Sequence, residues 1–288
     1  MKGINKCDIC GGEGDNDYEH GFMNGKSEMS KEEIQKRIDE CKPDDLRRID
    51  MVRPWCENRN VLDFGCGFGG FLKGISNCAK TAEGVELSLT ERKYLQSIGL
   101  SVQDHIENCE KRFDVITLFH VFEHLSSPQK WLNVFAKFLT DGGFLFIEVP
   151  NANDVLLSLY ENQNFADFTY WSAHLYLYTK NSLTRLIEEN GNFEIELAGQ
   201  VQRYPISNHL YWLAKGRPGG HKKWQIFNQK KLNEEYGKVL EQSCLCDTLF
   251  YRLKKSKNFQ GGCLCIKILM LLRKSVAIIK AISRLQKK

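Results

Sequence analysis

The chain has 288 residues, 42% hydrophobic and 26% charged, which is the balance of an ordinary soluble globular protein and excludes a disordered or fibrous one. Its net charge of +4 conceals an asymmetry, because residues 251–288 carry eleven Lys and Arg and no acid, leaving residues 1–250 at −7. A net-acidic body argues against a nucleic-acid partner, and eleven cysteines behind no secretory signal suggest reduced thiols or metal ligands in a cytoplasmic protein.

Residues 1–52 read as a polar extension carrying a lone Cys7-x-x-Cys10 pair, half of a zinc ribbon. A helix is predicted over 30–42 with Ser30 as its cap, and Pro43 and Asp44 restart a second helix toward Trp55. Residues 53–200 then alternate strand and helix in the rhythm of a parallel sheet. Strands are predicted at 60–64, 81–87, 100–103, 113–119, 143–150 and 193–199, and helices at 70–79, 89–99, 128–139 and 181–191, with a long connection from Asn151 to Tyr178. Residues 201–250, rich in aromatics and cations, read as an acceptor-side elaboration or lid. Residues 251–288 read as a basic amphipathic tail with apolar positions at helical spacing (265, 268, 269, 272, 276, 279 and 282). Charges interrupt it too often for a membrane span, which needs about 20 apolar residues. Its basic face suits peripheral contact with an anionic membrane, here the inner face.

The turn after the first strand reads "GCGFGG". Gly65, Gly67 and Gly70 fit the spacing of a dinucleotide-binding turn, and Gly65, Gly67 and Gly69 let a ligand approach the backbone. The residues before such a turn are apolar in a NAD fold, whereas here Asp63 stands at the strand mouth and suits a cationic group such as an amino-acid ammonium. Glu86 ends the second strand, placed to accept both hydroxyls of a ribose, and Asp104 follows the third, where it could accept an adenine amino group.

The motifs "VLDFGCGFGGFL", "GVELS", "QDH", "FDVITLFHVFEHLSSP" and "LTDGGFLFIEVPN", in this order between Arg53 and Gly199, resemble the class I S-adenosylmethionine-dependent methyltransferases. The resemblance implies a Rossmann-like α/β fold, a mostly parallel seven-stranded sheet flanked by helices, with S-adenosylmethionine as cofactor. It places the cofactor site at Asp63, Gly65, Cys66, Gly67, Gly69, Glu86, Leu87, Asp104, His105 and Phe119.

His120, Glu123 and His124 follow the fourth strand, at the sheet edge where ligands of open α/β folds bind, and His174 comes fifty residues later. This foursome is similar to the metal site of the small-RNA 3′-terminal 2′-O-methyltransferases and, more loosely, the ubiquinone-biosynthesis O-methyltransferases. Those place two acids, a histidine and a distant histidine in this order. His120 in place of the first acid makes a nitrogen-richer set and moves the preference from Mg²⁺ toward Mn²⁺, Fe²⁺, Co²⁺ or Zn²⁺. Three readings stand: a divalent-metal site that activates an acceptor hydroxyl, metal-free base catalysis by His120 or His124, and a structural turn closing the pocket.

Arg203, Tyr204, His209, Tyr211, Trp212 and His221 could supply stacking rings and cations for an acceptor, and their stretch resembles methyltransferases of surface-polysaccharide biosynthesis. The acceptor expected is therefore a hydroxyl of a sugar or sugar-derived compound, lipid- or nucleotide-linked. The rivals are an RNA 2′-O-methyltransferase, a quinone-type small-molecule O-methyltransferase, a NAD-dependent oxidoreductase and a catalytically silent scaffold.

Overall fold

A computed structural model describes residues 29–170 and 174–257; the Cys7/Cys10 pair and residues 258–288 of the basic tail lie outside them. The first element is helix α1 (Lys31–Cys56). Ser30 caps it through a reciprocal pair, its hydroxyl accepting the Glu33 N–H at 3.2 Å and its own N–H reaching the Glu33 carboxylate at 2.8 Å. The helix does not restart at Pro43, contrary to the sequence expectation, but runs through it without interruption. A proline inside a helix forfeits one backbone hydrogen bond. Here the second half is fixed from outside: Ile49, Val52 and Cys56 are buried, and Arg47 and Arg48 bond the carboxylate of Glu148.

The elements that follow are β1 (Asn60–Phe64), α2 (Gly70–Ile75), β2 (Thr81–Val85), α3 (Leu89–Ser97), β3 (Ser101–Gln103), β4 (Phe113–Phe119), α4 (Pro128–Phe138) and β5 (Leu139–Pro150). Two short helices, α5 (Val155–Ser158) and α6 (Gln163–Thr169), occupy the connection expected to be irregular. Helix α7 (Lys180–Asn190) leads to β6 (Phe193–Val201), and α8 (Ile206–Lys215), α9 (Gly220–Lys223) and α10 (Lys230–Gln242) precede β7 (Thr248–Lys255).

The seven strands form one sheet in the order β3-β2-β1-β4-β5-β7-β6. β1 to β5 pair in parallel, while β7 lies antiparallel between β5 and β6. The mostly parallel seven-stranded architecture is as expected, but two domain boundaries are not. The boundary at 250/251 falls inside β7, so the central sheet is completed by residues read as tail. The boundary at 52/53 falls inside α1, which packs on α2.

Cations hid β7 from the sequence. Arg252 lies 4.2 Å over the Trp55 ring and pairs with Glu196, while buried Lys255 donates to the Leu139 carbonyl at 2.9 Å. Each charged head found a partner, leaving Leu249, Phe250, Tyr251 and Leu253 to fill the core. The elaboration between β6 and β7 has an apolar cluster of its own, in which Trp212, Leu240 and Cys246 pack on Val155 and Leu156. Among the described residues no helix is long and apolar enough to cross a membrane.

Candidate functional site at the sheet edge

The glycine turn leaves β1 with Gly65 and Cys66 both donating to the Val85 carbonyl, which ties it to β2. Gly65, Gly67 and Gly69 have φ of +77°, +52° and +72°, where a side chain is strained. Gly70 is helical, and a Cβ there would press on the Asp45 carboxylate. A Cβ on Gly67 would meet nothing within 4 Å, so this glycine faces open space.

Glu86 spans that space, its two oxygens accepting N–H groups of Gly67 and Ser88, each at 2.9 Å. Burial raises its pKa, against the two backbone bonds that favour the anion. The neighbouring Leu87 uses its carbonyl to accept from Arg92. Asp63 is 3% exposed and accepts the Thr117 hydroxyl at 2.7 Å; burial pushes its carboxyl up to about 7. Cys66 is a buried thiol, pushed well above its ordinary pKa by burial and by Asp63, and so is held as an unreactive wall. Asp104 accepts the His105 N–H and the Asn108 amide, and His105 is exposed.

Phe119 sits at the edge but faces inward, edge-to-face with Phe71 at 4.8 Å and under the Arg48 guanidinium. Its ring packs on these neighbours at the strand end where the motif places a cofactor contact.

The open space at Gly67 gives a direct test. Gly142, at φ +74° with nothing within 4 Å of a Cβ, shares its strain but lies away from the turn. Ala at either position is expected to cost about 1–2 kcal/mol of stability. Only Gly67→Ala should weaken S-adenosylhomocysteine, by tenfold or more, as titration calorimetry of the two variants would read.

Beyond β4 the chain turns sharply at His120, which has φ +57° and donates its N–H to the Glu148 carbonyl at 2.8 Å. A 3₁₀ turn, Phe122–His124, follows. Ligand atoms of Glu123, His124 and His174 all lie within 4.8 Å of one another. Glu123 is 1% exposed, and its Oε2 is buried without a hydrogen-bond partner. Burial works against its charge, but the hydrogen bond from His120 and the proximity of His124 hold its carboxyl below the ordinary value.

His174 Nδ1 lies 2.9 Å from the Thr169 carbonyl; a carbonyl only accepts, so Nδ1 carries the proton and Nε2 the lone pair. Burial lowers its pKa, which keeps the ring neutral. A neutral imidazole anchored through its other nitrogen is the ordinary form of a metal-ligating histidine.

Three of the four expected ligands thus converge, and the fourth does not. His120 Nε2 is 2.7 Å from Arg203 Nη1, and Nδ1 is 3.4 Å from Glu123 Oε1. With one nitrogen on a guanidinium and the other on a carboxylate, His120 is a neighbour of the cluster rather than a ligand in it. The lone pair needed for metal-free base catalysis by His120 is occupied in the same way.

The residues expected to grip the acceptor are also mostly internal. His209, Tyr211 and Trp212 are buried, with His209 bonded to the Tyr236 hydroxyl, and Arg203 is paired with Asp44. Tyr204 is exposed and His221 half-buried. Two residues beside the site lie outside the motif positions: Asp44, expected only to restart a helix, and Glu148, the one exception in the apolar stretch Phe144–Val149. That exception was the available signal.

A family profile described as a methyltransferase domain matches residues 28–197. Among curated relatives, the ubiquinone biosynthesis O-methyltransferase of Hydrogenovibrio crunogenus is 23% identical over 57% of this chain and 77% of its own length. That of Thiobacillus denitrificans is 29% identical over 41% of the chain and 55% of its own, and the mitochondrial enzyme of Candida albicans 32% identical over 42% and 40%. The chain therefore spans about half the length of the latter two.

Among solved structures, the complex of the Haloferax volcanii Trm112 methyltransferase activator with a methyltransferase superposes with a TM-score of 0.54. It is 14% identical, over 78% of this chain and 95% of that one. A possible histamine N-methyltransferase from Thermotoga maritima gives 0.51 at 17% identity, over 78% and 95%. At these identities the likeness is one of fold.

Proposed function

The chain belongs to the class I S-adenosylmethionine-dependent methyltransferases, by its match to their methyltransferase domain over 59% of its length, and from that premise we propose that it O-methylates an aromatic acceptor carrying two adjacent hydroxyls, held by a divalent cation. The observation that carries the cation is the convergence of His124 and His174 on the Glu123 carboxylate, whose Oε2 is buried without a hydrogen-bond partner. A buried carboxylate oxygen without a donor costs about 1–3 kcal/mol, and a cation removes that cost. A mixed carboxylate–imidazole set fits Mn²⁺, Fe²⁺, Co²⁺ or Zn²⁺.

The cofactor supplies an electrophilic methyl group on its sulfonium. The chain's own part is to place that group and the acceptor in line. The glycine turn, open at Gly67, accepts the cofactor's backbone-hugging portion, and Glu86 offers its remaining lone pairs to a ribose diol. Glu123, His124 and His174 would hold the cation, whose chemistry is to lower the pKa of a ligated hydroxyl, otherwise a weak nucleophile at neutral pH. Two adjacent hydroxyls would chelate it and fix one oxygen toward the methyl.

The relatives' ubiquinone-biosynthesis names support an aromatic acceptor. A sugar is less supported, because three of the rings expected to stack on it, His209, Tyr211 and Trp212, are buried.

Turnover of the chelated and Mn²⁺-reconstituted protein on a catechol, its monohydroxy analogue and a sugar diol tests this reading. Activity on the catechol alone, restored by Mn²⁺ and at least a hundredfold above the monohydroxy analogue, is expected. Chelator-insensitive turnover would sink the cation, and turnover confined to the sugar would replace the acceptor.

Asp63 makes a second, independent prediction. With its carboxyl at about 7 in the unliganded protein, it is largely protonated at pH 6 and largely charged at pH 8. A cofactor ammonium beside it would favour the anion and expel the proton, so affinity rises with pH. S-adenosylhomocysteine should bind about tenfold tighter at pH 8 than at pH 6, with proton release seen by calorimetry in buffers of different ionisation enthalpy. Asp63→Asn should flatten that dependence.

A further inference from the structure

We propose that Arg203 is a positioning residue for Glu123, acting through the His120 ring, and that Asp44 on α1 holds it in place. Arg203 lies at the junction of β6 and α8, outside the segment matched by the family profile. Its Nε lies 3.1 Å from both Asp44 oxygens, and its backbone N–H bonds the Asp247 carboxylate at 3.0 and 3.1 Å. Side chain and main chain are thereby pinned from two directions, which fixes where Nη1 points.

Nη1 points at His120 Nε2, 2.7 Å away. A guanidinium has only hydrogen-bond donors, so Nε2 must accept and cannot carry a proton. The ring proton then sits on Nδ1, which faces Glu123 Oε1 at 3.4 Å.

Glu148 Oε1 also lies 3.4 Å from Nε2, but it already accepts from Arg48 at 2.9 and 2.6 Å and from Arg47 at 3.0 Å, and needs nothing from the ring. The shorter contact decides the tautomer. One consequence follows at Glu123: the Nδ1 proton faces Oε1, the oxygen that also lies 3.9 Å from His124 Nε2, while Oε2 is left without a partner. The chain Asp44–Arg203–His120–Glu123 fixes the pose of the carboxylate that stands beside His124 and His174.

The geometry stands without the cation; only the effect on metal affinity rests on the function proposed above. Two measurements on the full-length protein separate them. Two-bond ¹H–¹⁵N correlation of histidine-labelled protein, with His120 assigned by its loss in His120→Asn, should show a protonated Nδ1 and an unprotonated Nε2. In Asp44→Asn/Arg203→Met, which removes the guanidinium and its counter-charge together, that single tautomer should give way to a mixture. Mn²⁺ affinity should fall about 10–100-fold, the cost usual for a residue that orients a ligand. S-adenosylhomocysteine affinity should stay within twofold.

A wild-type His120 protonated at Nε2, or at both nitrogens, overturns the proposal even if the double variant does not fold. Unchanged Mn²⁺ affinity in a variant with a changed tautomer overturns the link to Glu123. Absence of Mn²⁺ binding in the wild type, with the expected tautomer, defeats the cation reading and leaves the tautomer lock supported by its own spectrum.

Discussion

Glu123→Gln is expected to lower Mn²⁺ affinity by at least a hundredfold and catechol turnover with it, while leaving the folded protein intact. The substitution keeps the shape and retains an oxygen to accept from His120 Nδ1, so the turn Phe122–His124 has no reason to move. What disappears is the negative charge of the carboxylate, the one anionic donor among the three converging groups. Two neutral imidazoles and an amide oxygen bind divalent cations far more weakly than a set that includes a carboxylate, because the ion loses its charge-neutralising ligand while still paying its desolvation. In the metal-free protein the change removes a charge whose carboxyl the histidines hold below its ordinary value, so no more than a modest loss of thermal stability is expected. Calorimetric titration of Mn²⁺ and a melting curve with chelator would read the two halves. A variant that binds Mn²⁺ like the wild type removes Glu123 from the cation site. A variant that simply melts early shows instead that the carboxylate is a structural pillar of the turn.

What the sequence revealed and what it hid follow from how far each interaction reaches along the chain. The strand–turn–helix at Asn60–Ile75 is specified locally, by an apolar run, glycines at positive φ and a helix start, so both its place and its open edge were legible. The triad of Glu123, His124 and His174 was half legible: two members are adjacent, and the third, fifty residues on, entered only through the resemblance to a known metal site. The exclusion of His120 was not legible, since it depends on Arg203, 83 residues away, and that residue's pose depends on Asp44, a further 159. Strand β7 was missed for the same reason. Arg252, Lys254 and Lys255 read as a solvated basic tail until Trp55, Glu196 and Leu139 are brought beside them by the sheet. Charged residues whose partners are distant in sequence carry no local sign that they are paired.

Glu148 shows how much depends on such a distant pairing, and its removal is expected to be the most destabilising single change in the described body. It stands on β5 with no exposed surface and accepts from Arg47 and Arg48, one hundred residues earlier in the chain. Burial alone would raise its pKa; the guanidinia of Arg48 and Arg47 hold it well below the carboxylate range instead. Asp44 and Asp45 give the two arginines only partial substitutes, at 3.0 and 3.8 Å. Glu148→Ala strands two guanidinia in the interior, so a loss of about 3–5 kcal/mol is expected, as for other broken buried pairs. At about 2–4 °C per kcal/mol for a domain of this size, the melting temperature should drop by roughly 10 °C. The sign with pH is fixed by the lowered carboxyl. Its contribution is complete above the unfolded-state value near 4.5 and is lost as pH falls through the folded value, so the gap between wild type and variant should be flat from pH 8 to 5 and close below that. Replacing Arg47, Arg48 and Glu148 together by Met should recover most of the loss, because no buried charge is then left without a partner. If the triple variant is as unstable as Glu148→Ala, the arginines hold α1 on the sheet through something other than their charge, and the continuity of α1 through Pro43 would need another cause.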